Sequence, residues 1–231
     1  MKNYTTLILA GLVIILAAAL VGVLTYVRNQ PVEVRAVEPL VEIAPMEPDS
    51  SVWGVNFPNQ YDSFMKTKTN NVDTTYGGSS MFSWLERDPR QVILFAGNPF
   101  SKDYNDDRGH ANALQDVRET KRLNLNLDDP KRTPGTCYSC KSSDNPGLWE
   151  RLGMEAYDKM SFVELGKQVT EPIGCANCHE AETMRLIVTN PALEEALAAQ
   201  GKDWRAFTRQ EMRTVVCANC HATMNHQTPL F

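Results

Sequence analysis

All six cysteines of this 231-residue chain fall into three C-x-x-C pairs, and that spacing limits the fold more than any other feature. The pairs read Cys137-Tyr138-Ser139-Cys140-Lys141, Cys175-Ala176-Asn177-Cys178-His179 and Cys217-Ala218-Asn219-Cys220-His221. Zinc sites, disulfides and covalent haem attachment all use paired cysteines. Zinc ribbons take two pairs per ion, so three pairs do not divide into such sites without help from histidine. Neither zinc nor disulfides explains a histidine at the same offset after two of the pairs. Haem c attachment does. On one helical turn both thiols lie on one side, each forming a thioether to a haem vinyl group, and the next residue stands over the porphyrin face. The expected cofactor is therefore haem c, bound at Cys137 and Cys140, at Cys175 and Cys178, and at Cys217 and Cys220. His179 and His221 are the expected axial iron ligands.

Lys141 breaks the pattern. It either marks a degenerate motif or supplies an amine as the proximal iron ligand. An amine binds iron only when deprotonated, so the metal and burial must lower its pKa. With no second protein ligand, the sixth position of that iron stays open to substrate. A haem closed by two histidines suits electron transfer instead. The pattern thus predicts one reactive haem and two wiring haems. The chain has four histidines, His110, His179, His221 and His226, which is the number two bis-histidine haems need. His110 and His226 are the internal candidates for distal ligands.

No charged residue interrupts Asn3 to Val27, and Leu7 to Val27 is almost wholly apolar. About 20 apolar residues span a bilayer as a helix. Residues 1–28 are expected to be a signal-anchor or transmembrane helix, the length favouring an anchor over a cleaved signal. Either reading puts the remainder in the periplasm or another extracytoplasmic space. Residues 29–50 carry Pro31, Pro39, Pro45 and Pro48 among glutamates and read as an extended linker. Residues 51–231 form the expected domain. The net charge of -5 gives no reason to expect a nucleic-acid partner and suits basic redox partners.

Within that domain the signals are helical. Ser51 to Gly78 reads as irregular or as one short helix, and Val92 to Ala96 as a strand or a helical turn. Asn112 to Leu123 carries an apolar face. Ser161 with Glu164, and Thr208 with Glu211, read as capping boxes. Asn190-Pro191 reads as a helix start. The expected class is mainly α, a multihaem cytochrome c domain with long loops, its core completed by the haems.

At these residues the chain resembles the pentahaem cytochrome c nitrite reductases, the ammonia-forming family, whose signature is the lysine-bearing haem motif. The resemblance runs from about Trp84 to His221. It takes in Gly97, Phe100, Asp103-Tyr104-Asn105, Arg108-Gly109-His110, Asp116-Val117, Thr120-Lys121-Arg122, Thr136 to Ser142, Asp144 and the Val216 to His221 run. It implies six-electron reduction of nitrite to ammonium at a haem ligated by Lys141. By the same resemblance Arg122 holds the nitrite anion, its guanidinium always charged and forked. Taken alone, Arg122 reads as a solvated charge. His110 matches the distal ligand of the haem on Cys217 and Cys220, and His226 matches no family ligand. The family implies a homodimer fed by a membrane quinol-oxidising cytochrome or other electron donor. It also implies calcium, most of whose ligands are absent here. Two further C-x-x-C-H sites and the family's active-site histidine are absent too, and the residues after His221 differ. The resemblance therefore implies a C-terminally truncated or frame-shifted member, or a shortened relative. The alternative is a non-catalytic triheme electron-transfer cytochrome.

Overall fold

The structure is a computed structural model and describes residues 2–29, 38–69, 71–75, 77–78, 80–124 and 133–221. Residues 30–37 of the linker, residues 125–132 with Pro130, and the tail 222–231 with His226 lie outside the described residues. The chain divides into two units, residues 1–38 and residues 39–231.

The first unit carries one helix, Lys2–Asn29. Within it the 23 residues Thr6–Arg28 are long and apolar enough to cross a membrane. At about 1.5 Å per residue they reach about 35 Å, beyond a hydrocarbon layer of about 30 Å. A signal sequence passes the same test.

The second unit begins at Pro39, so the Pro/Glu-rich segment is only partly a linker. Asn56 explains the earlier start. Its side chain accepts from the Leu40 and Val41 amides and donates to the Val41 carbonyl, pinning residues 40–41 to the helix Ser50–Asn56. Proline and glutamate signal a stalk by composition, but Ile43 is buried here, and Trp53 donates its indole N–H to the Glu47 carbonyl. Asp49 caps that helix by accepting from the Ser51 amide. A second helix follows at Pro58–Thr69, where one short helix at most was expected.

Short helices make up most of the rest. Of the run Val92 to Ala96, residues 92–94 belong to the helix Arg90–Leu94 and Phe95 and Ala96 to the turn that follows. The run from Asn112 splits into Ala113–Glu119 and Lys121–Asn124, because Thr120 leaves helical geometry at ψ 110. Both capping boxes form, as does the Asn190 cap ahead of Pro191. The regular β structure among the described residues is one antiparallel pair, Asp73–Thr74 with Gly77–Gly78. Helices this short are marginal alone, so packing against neighbours must stabilise them.

That packing occurs in three small cores, each touching one cysteine pair. The first joins Tyr138 of the first motif to Leu148, Trp149, Tyr157, Phe162 and Leu165. Tyr138 stacks on Phe162 with ring centroids 4.4 Å apart. The second joins Ala218 of the third motif to Val188, Leu193, Leu197 and Met212. The third joins Ala176 of the second motif to Ile43 and Trp53.

The Ser161 cap bears directly on the first core. Its hydroxyl accepts from the Glu164 amide while the Glu164 carboxylate accepts from the Ser161 amide, and residue 161 bridges Pro134, just before the first motif. Ser161→Ala is expected to cost about 1 kcal/mol, read as a lower urea midpoint of the haem-loaded protein. An unchanged midpoint would show the cap to be idle.

Candidate haem-attachment sites

Each cysteine pair sits on a tight turn that the local backbone closes. The first lies on the 3-10 turn Gly135–Tyr138, with the Lys141 amide donating to the Tyr138 carbonyl at 2.9 Å. In the second and third motifs the His179 and His221 amides donate to the Cys175 and Cys217 carbonyls, both at 2.9 Å. One turn thus brings both sulfurs and the following nitrogen donor to the same region in every motif.

All six thiols are free, and among the described residues no group of three or more His, Cys, Asp or Glu gathers as a metal site. Burial raises the pKa of Cys137 and Cys175, and pushes Cys178 up to about 11 and Cys220 up to about 12. Thiols buried in this way are not poised for ready oxidation. They suit sulfurs whose partner is a large apolar group. Cys140 and Cys220 line one cavity of about 180 Å³ with Trp149, Met154, Tyr157 and Asn219. The indole N–H of Trp149, buried in that wall, has no hydrogen-bond partner among the described residues. That lining also carries Thr136, Ser139, Asp158 and Asn190, and its two thiols come from different motifs, so it marks where motifs one and three approach each other. The cysteine pairs on their turns are what fit haem c, with Lys141, His179 and His221 as the adjoining nitrogen donors.

His179 is aimed by its own loop. Its Nδ1 lies 2.8 Å from the Met184 carbonyl. With Nδ1–H donating there, Nε2 is left as the free ligand atom. Met184 adopts φ 56, a left-handed conformation uncommon for a residue with a side chain. Sequence reading missed Met184, because nothing in its residue type marks it.

His110 follows Gly109, whose φ of 95 admits the sharp entry to the 3-10 turn His110–Asn112. Arg108 fixes that entry from behind. Its backbone amide donates to Asp116 Oδ2 at 3.0 Å and its guanidinium pairs with Oδ1 of the same carboxylate, which is nearly buried. His110 is open to solvent at its rim, yet burial of the rest lowers its pKa, and the positive fields of His221 and Lys141 lower it further. His110, His221 and Lys141 therefore share one neighbourhood.

Lys141 reaches Asp107, Nζ to Oδ2 at 3.3 Å, and its side chain is 23% exposed against 70% for the carboxylate. Arg122 is not a freely solvated charge. It donates to the Asp103 carbonyl at 3.1 Å and lies over the Phe100 ring, 4.6 Å from its centroid. Its field also lowers the pKa of Cys137 against the larger effect of burial, which sets it near the first motif. Asp103 is buried and holds the segment by accepting from the Lys121 amide and from Asn105.

A membrane-type helix, a mainly helical domain and cysteine pairs on three separate cores define a multihaem c-type cytochrome. The sequence profile of the family described as cytochrome c552 matches residues 49–229, and the chain belongs to that family. Cytochrome c-552 of Bacteroides fragilis is 40% identical over 182 residues, covering 78% of this chain and 37% of its own length. Cytochrome c-552 of Parabacteroides distasonis is 36% identical over 224 residues, covering 96% of this chain and 45% of its own length. The chain therefore spans less than half the length of these relatives. A solved cytochrome c nitrite reductase from Desulfovibrio desulfuricans, whose catalytic subunit (NrfA) has two calcium sites, superposes with a TM-score of 0.71. It is 32% identical, with 78% of this chain and 41% of that one covered.

Proposed function

We propose that the chain is a nitrite-reducing multihaem cytochrome of the ammonia-forming kind, with Lys141 as axial ligand at the reacting centre. The observation that carries this reading is the trio of C-x-x-C motifs in a chain of the cytochrome c552 family, two followed by histidine and the first by Lys141. Cys137 and Cys140 would hold the reacting haem, which would supply electrons and an iron position for an anion. Cys175 with Cys178 and Cys217 with Cys220 would hold the haems that bring electrons, His179, His221 and His110 being the nitrogen donors offered to them.

The chain's own groups do the rest. Lys141 must give up its ammonium proton to ligate a metal, and Asp107, 3.3 Å away and largely exposed, passes that proton to solvent. Arg122, held by Phe100 and the Asp103 carbonyl, presents a permanent positive charge near the first motif. That charge attracts nitrite and favours proton delivery to it. The electron donor is a membrane quinol-oxidising cytochrome or an equivalent outside the cytoplasm, and the protein works as a homodimer.

The haem-loaded protein tests this reading. Mass should show three covalent haems, and electron paramagnetic resonance one high-spin centre among low-spin ones. Nitrite should oxidise the reduced protein and yield ammonium. Lys141→His should keep all three haems but lose most nitrite binding at the high-spin centre. If every haem is low-spin and nitrite has no effect, the chain is an electron carrier. A colourless product without added mass defeats both readings.

A further inference from the structure

The three cysteine motifs lie on separate small cores, yet a continuous run of buried amides ties them together. We infer that Asn177 and Asn219, the residues just before the second cysteine of motifs two and three, are positioning residues that fix the spacing of the three attachment sites. Both are almost fully buried, at 2% and 3% exposure.

Asn219 uses its whole side-chain capacity. Its Oδ1 accepts from the Thr189 and Asn190 amides at 3.0 and 3.2 Å. Its Nδ2 donates to the Asn177 and Ile187 carbonyls, both at 3.2 Å. Motif three is thereby bonded to motif two across 42 residues of chain. Asn177 repeats the device one step on. Its Oδ1 accepts from the Gly174 amide at 2.9 Å, and its Nδ2 donates to the Ser142 carbonyl at 2.9 Å. Ser142 immediately follows Lys141. Its carbonyl also accepts from Asn145 Nδ2, which bonds the Tyr138 carbonyl inside motif one as well. Tyr157 closes the run by donating its hydroxyl to Asn145 Oδ1 at 2.8 Å.

An amide is the side chain this job needs. It offers donors and an acceptor on one short stem, so it spans two backbones at once. A buried amide left unpaired is costly, so the network holds in one arrangement. Haem groups bonded to these turns take their mutual distances from the polypeptide. Asn177 links motif two to motif one, and Asn219 links motif three to motif two.

This inference rests on haem attachment at all three motifs, so the test begins with a haem count by mass in the parent protein. The variants are Asn177→Asp, Asn177→Ser, Asn219→Asp and Thr189→Val, each made haem-loaded. Asp at 177 keeps an acceptor for the Gly174 amide but has no donor for the Ser142 carbonyl, while Ser, one atom shorter, cannot span both partners at once. Thr189→Val removes only a hydroxyl bond to the Asn177 carbonyl, 2.9 Å in length, while Asn219 still donates there.

Expected are three haems in every variant and changed haem–haem magnetic coupling, with shifted midpoint potentials, in the Asn177 and Asn219 variants. Thr189→Val should match the parent. Coupling and potentials identical to the parent in all variants would overturn the inference. So would equal changes in Thr189→Val, since those mark general packing. If Asn177→Asp binds fewer than three haems, Asn177→Ser decides, and loss of haem from both overturns a purely positioning role. A parent without three haems defeats the functional proposal instead.

Discussion

Gly135→Ala is expected to destabilise the haem-loaded protein by about 3 kcal/mol, near the top of the usual range for overpacking. A Cβ at residue 135 would lie 2.8 Å from the Met160 carbonyl oxygen, 3.0 Å from the Ser161 carbonyl oxygen and 3.0 Å from Leu165 Cβ. Two of these are backbone atoms already engaged. Met160 O accepts from the Gly135 amide at 2.8 Å, and Ser161 O accepts from the Leu165 amide at 3.0 Å. Leu165 is fully buried, so it has nowhere to retreat. Gly147→Ala is the contrasting control. It lies inside the helix Asn145–Leu152 with nothing within 4 Å of an added Cβ. It should stabilise by about 0.5–1 kcal/mol by reducing unfolded-state freedom. Urea unfolding followed through the haem absorbance measures both. Equal effects at the two positions would refute the steric account.

Trp53→Ala should cost about 3–5 kcal/mol, the range for emptying a large aromatic site. Trp53 is 1% exposed and packs with Ile43 and Ala176, so its core is shared with the second cysteine motif. The variant also strands the Glu47 carbonyl that accepts from the indole. Trp53→Phe keeps most of the packing and loses that bond, so about 1 kcal/mol is expected for it. If residues 39–50 were only a tether, both variants would be nearly neutral by the same unfolding measurement.

The cysteine pairs, the two capping boxes and the Asn190 start were readable because each is a local pattern with a local cause. So was the apolar N-terminal helix, whose unbroken apolar run is long enough to cross a membrane. The start of the domain was not readable. Proline and glutamate composition says stalk, whereas Asn56 and Trp53 impose order from outside the segment. The helix Pro58–Thr69 was only weakly signalled, because its apolar face is three half-buried residues, Tyr61, Phe64 and Met65, with none fully buried. Arg122 shows the limit at the site itself. Its residue type reads as a solvated charge, and only the contacts with Phe100 and Asp103 give it a fixed place. The amide network left one trace, asparagine at the same offset in two motifs, but partners 35 and 42 residues away have no local signature.

The left-handed turn at Met184 couples the second motif to a distant core. Holding a side-chain-bearing residue at φ 56 costs on the order of 1 kcal/mol. The same residue lends its carbonyl to His179 and its side chain to the core around Trp53. The plane of the imidazole is therefore tied, through Met184, to residues far upstream of the second motif. A change in the packing around Trp53 is relayed by one backbone carbonyl to the ring that faces the iron site.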